Sequence, residues 1–134
     1  KQTNLKKGNG KVFFYDDNNT LHQEQNFISG DITKLVRFYS TGEKSFICNF
    51  QNGLENGTET HFYRNGKVKE KGINKNGERE GLWTEWYDDG TKESEINYQN
   101  GELHGLWTQW REDGTKRWVS TYKLGEQIGD TKFY

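Results

Sequence analysis

Histidines, paired carboxylates, one thiol, recurrent glycines and many aromatics are the residues through which this chain could do chemistry. His22, His61 and His104 share neither the i, i+4 spacing of a helix face nor the i, i+2 spacing of a strand face. They therefore offer no convergent metal ligands and no obvious general base, and are expected on the surface. Asp16-Asp17, Asp88-Asp89 and Glu112-Asp113 look like carboxylate dyads. They fall in turn-like stretches, however, where aspartate caps nearby N–H groups. Cys48 is the lone cysteine, so an internal disulfide is excluded, and it is expected as a buried structural thiol. The glycines end strand-like runs without opening helices, which removes the phosphate-cradle readings. No set of nucleophile, base and orienting group can be assembled, so no catalytic residue, metal site or cofactor is expected, and the chain reads as a non-enzyme.

The glycines punctuate a period instead. Gly81–His104, GLWTEWYDDGTKESEINYQNGELH, is followed at once by Gly105–Ile128, GLWTQWREDGTKRWVSTYKLGEQI. Gly57, Gly66, Gly77 and Gly81 keep the same frame, as do Thr33, Gly42, Gly53 and Gly57. A 24-residue period over four blocks marks a repeat protein. The chain divides into repeats near 9–32, 33–56, 57–80, 81–104 and 105–128, with a closing strand at 129–134, all in one domain spanning 1–134. Lys1–Asn9 is read as a polar lead-in. The first repeat is degenerate: Phe14-Tyr15 takes the place of Trp86-Tyr87, Asn18-Asn19 of Asp89-Gly90, and Phe27 of Tyr98. Its register needs an insertion at Asn18–Thr20 or a short link at Gly30–Thr33.

Each repeat holds two strand-like runs. A tight hairpin is expected at Asp89-Gly90 and its equivalents, and a slightly longer loop at Asn100-Gly101. The fold class is therefore all-β, an elongated, twisted antiparallel meander of about ten strands. Alternation along the strands sorts two faces. Trp83 and Tyr87 share one, with Leu35, Tyr39, Tyr63, Trp107, Phe46, Cys48, Phe50, Ile96, Tyr98, Trp118 and Tyr122. The other carries a ladder of Phe14, Phe38, Phe62, Trp86 and Trp110, set among Val36, Thr60, Thr84, Thr108, Glu95 and Lys71.

Composition fits a thin, aromatic-rich core, at 29% hydrophobic and 15% aromatic residues with no proline or methionine. A net charge of −1 gives no argument for nucleic acid or an anionic membrane surface. No apolar run reaches the roughly 18 residues of a membrane-spanning helix, so no membrane insertion is expected. The chain begins at Lys1 rather than Met, which fits a mature form whose targeting segment was removed, or a trimmed chain.

The frame G-x-W-x-x-W/F-Y-x-x-G-x-K followed by Y-x-N-G-x-x-x-G resembles the MORN-variant repeat, found in tandem in bacterial proteins that include the YwqK-like antitoxins. Trp83, Trp86-Tyr87, Gly90, Tyr98, Gly101 and Gly105 carry the resemblance. Arg111 replaces the tyrosine one repeat later, and Glu59 and Asn74 replace the first tryptophan and second-run tyrosine of the third repeat, which is expected to pack more loosely. The resemblance implies a scaffold that binds a protein partner, as an antitoxin-like cytoplasmic binder. Phe38, Phe62, Trp86 and Trp110 are the candidate contact row. The same row could be covered by lysine and glutamate stems or a second copy. Two other readings stand beside it: an exported or lipid-anchored cell-envelope module, and a glycan- or lipid-binding module.

Overall fold

The computed structural model describes residues 8–134 together with the backbone of Gln2 and Thr3. Thirteen strands form one antiparallel sheet, and no helix interrupts it among the described residues. In chain order the strands are β1 (Gln2–Thr3), β2 (Gly10–Tyr15), β3 (Leu21–Ile28), β4 (Asp31–Phe38), β5 (Lys44–Gln51), β6 (Leu54–Phe62) and β7 (Val68–Lys75). They continue as β8 (Glu78–Trp86), β9 (Lys92–Gln99), β10 (Glu102–Trp110), β11 (Lys116–Lys123), β12 (Glu126–Gln127) and β13 (Lys132–Phe133). β2 to β11 are the ten long strands of the expected meander. Both β12 and β13 pair with β11, through Tyr122 with Gln127 and Trp118 with Phe133. The expected lead-in contains β1, which pairs with Val12 and Phe13; Lys1 and residues 4–7 lie outside the described residues.

The two turns of each repeat are the reverse of the sequence expectation. Asn-Gly makes the tight one: Asn100 (φ 48°) and Gly101 (φ 80°) join Gln99 directly to Glu102, both central residues left-handed as a type I′ hairpin requires. Asp-Gly makes the longer one, in which Tyr87 N donates to Thr91 O and Gly90 N to Tyr87 O. The first repeat closes the same loop with Asp16, Asn19 and Thr20, so Tyr15, and not Phe14, stands where Trp86 stands. The structure therefore takes up the register slip in a short link after Gly30, where Phe27 pairs with Ile32 and Asn26 with Lys34.

Consecutive hairpins are stitched along both rims. On one rim a tyrosine hydroxyl reaches a carbonyl 23 residues on: Tyr39 to Phe62 O (2.5 Å), Tyr63 to Trp86 O (2.7 Å) and Tyr87 to Trp110 O (2.8 Å). Arg111 does the same with its guanidinium, donating Nη2 to Tyr134 O at 2.9 Å. On the other rim a turn glycine N–H reaches back: Gly77 to Glu55 O, Gly101 to Arg79 O and Gly125 to Leu103 O.

A sheet with no second layer must bury side chains against its own neighbours. Val12, Leu35, Cys48, Trp83 and Ile96 line the better-buried face, here the core face. Trp83 is 0% exposed because its indole lies over Gly72 and donates Nε1 to Ile73 O at 3.1 Å. A Cβ at residue 72 would overlap that ring. One repeat later Ile96 stands opposite Trp107 and fills the equivalent room. The Trp107 indole packs instead against Trp118 (5.3 Å) and Tyr122 (5.9 Å), and its buried Nε1 has no hydrogen-bond partner.

Two substitutions test these local demands. Gly72→Ala should lower unfolding free energy by about 1–3 kcal/mol through overpacking against Trp83. Leu124 holds φ 49° at a type I′ position, and Leu124→Asn should raise it by about 0.5–1 kcal/mol. Urea titrations of both variants read the two signs directly.

Candidate functional site

The face opposite the core face is the ladder face. Register places Val36, Ile47, Thr60, Lys71, Thr84, Glu95 and Thr108 in one row across it. Phe38, Phe62, Trp86 and Trp110 each follow two residues after a member of that row, and all four are half-buried. Phe14 does not join them: it pairs with Gln23 and shares the side of Val12, on the core face. The off-by-one alignment of the first repeat accounts for that difference.

What covers each ladder aromatic differs. Lys92 Nζ lies 5.1 Å from the ring centroid of Trp110, and Lys116 Nζ lies 5.7 Å from that of Tyr134, the next counterpart. In the third repeat Val68 occupies the place of these lysines. Trp86 consequently stands between two open hollows of about 390 and 510 Å³. Ile73, Leu82 and Thr84 line the first, Val68 and Lys67 the second, and Lys71 borders both. Ile73 replaces Asn49 and Asn97, whose side-chain amides bind the carbonyls of Thr58 and Leu106 at 2.8 Å. Ile73 has no such use for its side chain and is 54% exposed, beside Leu82 at 49%.

On the core face the third repeat carries a polar cluster where the next repeat carries Trp83 and Tyr98. Glu59 is 8% exposed and Asn74 is 3% exposed. Asn74 Nδ2 donates to Glu59 Oε2 at 2.5 Å, and His61 Nε2 meets Glu59 Oε1 at 2.7 Å. Arg79 Nη1 binds Glu70 Oε1 at 2.6 Å while its guanidinium lies 3.8 Å from the Trp83 ring centroid. The third repeat is therefore filled by a hydrogen-bonded network, and the looser packing expected from Glu59 and Asn74 does not occur. Burial works against the Glu59 carboxylate, but the bonds from His61 and Asn74 and the nearby charges outweigh it and hold its pKa below the usual value.

Cys48 is fully buried, with its thiol directed to Glu59 Oε2 at 3.8 Å. Burial first, then the charges of Glu55 and Glu59, push its pKa up to about 12. Cys48 Sγ and carboxylate oxygens of Glu55 and Glu59 lie within 4.8 Å of one another. A metal would need the thiolate, which this surrounding disfavours, and would compete for a carboxylate already bound by Asn74 and His61. The cluster works as a hydrogen-bonded core.

The remaining candidates separate cleanly. Asp16, Asp89 and Asp113 each cap turn N–H groups, at 2.7–2.9 Å, as their turn positions suggested. Threonine hydroxyls and then backbone N–H groups lower the pKa of Asp89 and Asp113. The histidines are not all superficial. His22 is exposed, whereas His61 belongs to the Glu59 cluster and His104 is half-buried, with a buried Nδ1 lacking a partner. Sequence reasoning missed the Trp86 hollows and the Glu59 cluster, although Val68, Ile73, Glu59 and Asn74 all depart from the repeat.

The MORN repeat variant model matches residues 9–29, 55–76 and 79–100, so the chain carries MORN-variant repeats in a hairpin meander. No curated protein sequence matches the chain. MORN repeats are generally non-catalytic scaffolds for protein or membrane interaction. The match describes the repeat and carries no antitoxin assignment. No helix of the structure is long and apolar enough to cross a membrane among the described residues.

Two measurements probe the core-face cluster. Because the folded pKa of Glu59 is depressed, its stabilisation is complete above the unfolded carboxylate range near about pH 4.3 and is lost as pH falls through the folded value. Glu59→Gln should be less stable than wild type at pH 6 and should lose less on acidification to pH 3, as urea titrations at each pH would show. Cys48 should resist a thiol reagent at pH 8 in the folded protein and react at once in 6 M urea, since only unfolding both exposes the thiol and restores its ordinary acidity.

Proposed function

We propose that this chain is a non-catalytic interaction scaffold that captures a protein partner on its ladder face, with Trp86 at the centre of contact and Phe38, Phe62 and Trp110 extending the row. The observation that carries this reading is the place of half-buried Trp86 between two open hollows, where Val68 stands in place of a covering lysine. A large aromatic beside the exposed side chains of Ile73 and Leu82 has the character of an interface anchor. Exposed Lys71, bordering both hollows, suits a partner segment that brings apolar side chains and a carboxylate together. In the antitoxin-like form of this reading, the partner is a toxin whose working surface the sheet occludes.

Retention of the partner from an extract of the source cell, on immobilised wild type and variants, tests the reading. Trp86→Ser with Trp110→Ser should reduce the specifically retained protein at least about tenfold, since anchor residues commonly carry 2 kcal/mol or more. Val68→Lys, which lays a stem across Trp86, should weaken retention without changing the unfolding transition. Undiminished capture by a folded double variant would overturn the assignment of this face.

A further inference from the structure

A pocket of about 310 Å³ opens on the core face at the last strands of the sheet, remote from the ladder row. Its walls are Trp107, Trp118, Tyr122 and Phe133, and its polar lining is Ser120, Gln127 and Thr131. The repeat explains why it is there. Arg111 reaches Tyr134 O as Tyr87 reaches Trp110 O, and Lys116 stands over Tyr134 as Lys92 stands over Trp110. Tyr134 is thus the counterpart of Trp110, which makes Thr131 the counterpart of Trp107 and Trp83. Where the two preceding repeats place an indole, this one places a threonine.

We propose that this pocket is a binding site for the aromatic side chain of a partner polypeptide, an indole above all, which restores the missing ring. The lining bears no charged group, so an anionic or cationic ligand finds no counter-charge. Its three polar side chains are already engaged: Ser120 Oγ pairs with Thr131 Oγ1 at 2.6 Å, and Gln127 Nε2 donates to Thr131 Oγ1 at 3.2 Å and to Gly129 O at 3.1 Å, while the unpartnered Trp107 Nε1 is buried. A sugar ring would have to break these bonds to satisfy its hydroxyls, whereas an aromatic ring needs none of them. Ring-on-ring contact with Trp107, Trp118 and Tyr122 supplies the attraction. Phe133 is 73% exposed and extends the apolar surface along the edge formed by β12 and β13, where an extended segment carrying that ring would lie. This site is on the opposite face from Trp86 and stands or falls separately from the ladder-face reading.

The test is a titration of isotope-labelled protein with N-acetyl-tryptophanamide, followed by amide and indole N–H resonances. Saturable shifts are expected at the indoles of Trp107 and Trp118 and the amide of Thr131, with a Kd on the order of millimolar for so small a ligand. Thr131→Trp fills the pocket from within and should abolish them; Thr131→Leu serves should the larger ring prevent folding. Absence of shifts at these residues in the wild type overturns the proposal. So does an undiminished response in a folded filling variant, or a response to methyl glucoside in place of the tryptophan derivative, which would assign the pocket to saccharides.

Discussion

The structure depends on hairpin turns being bonded to hairpin turns. A meander one layer thick has no second sheet or helix to hold its strands in register, and an isolated hairpin is at best marginal in water. Here the tyrosine hydroxyls on one rim and the turn glycine N–H groups on the other connect each repeat to the next. With both rims fixed, the large side chains between them can lean across neighbouring strands and exclude water from a core one residue deep. Arg111 shows that the bond, and not the phenol, is what the position requires: its guanidinium reaches the same carbonyl position.

Within that regular frame, chemistry gathers where the repeat is broken. The third repeat has valine for the covering lysine, isoleucine for the bulge-bridging asparagine, glycine beneath the following tryptophan, and glutamate and asparagine for two core aromatics. On the ladder face these departures uncover Trp86; on the core face they make room for the Trp83 indole and assemble the Glu59 cluster. Substitution of a rim residue would disturb the scaffold, whereas these positions are free to differ because each is compensated locally. Thr131 belongs to the same class of departure, and its consequence is a hollow.

Much of the fold was legible because period and alternation are properties of spacing. The ten long strands, the two faces and the ladder of Phe38, Phe62, Trp86 and Trp110 all follow from residues recurring every 24 positions. The turns were not: Asn-Gly and Asp-Gly are both good turn formers, and only the pairing of Gln99 with Glu102 shows which of them makes the two-residue hairpin. Phe14 went to the wrong face for a related reason, since the short link that corrects the first repeat's register is a matter of pairing and not of residue type. The Glu59 cluster joins three strands, with contributions from Cys48, His61 and Asn74, and no single-strand pattern could bring them together. The departures that build it were visible one by one, but read as weak matches to the repeat they suggested looseness.

The constant step of the rim bonds makes the sheet a ruler. Because each repeat addresses only the one before and the one after it, insertion or loss of a whole block would change the length of the sheet and leave every remaining bond intact. Distances between surface features are then set in whole multiples of one block. A lineage of such chains could alter the reach between one sticky patch and another by duplication alone, without redesigning a single contact.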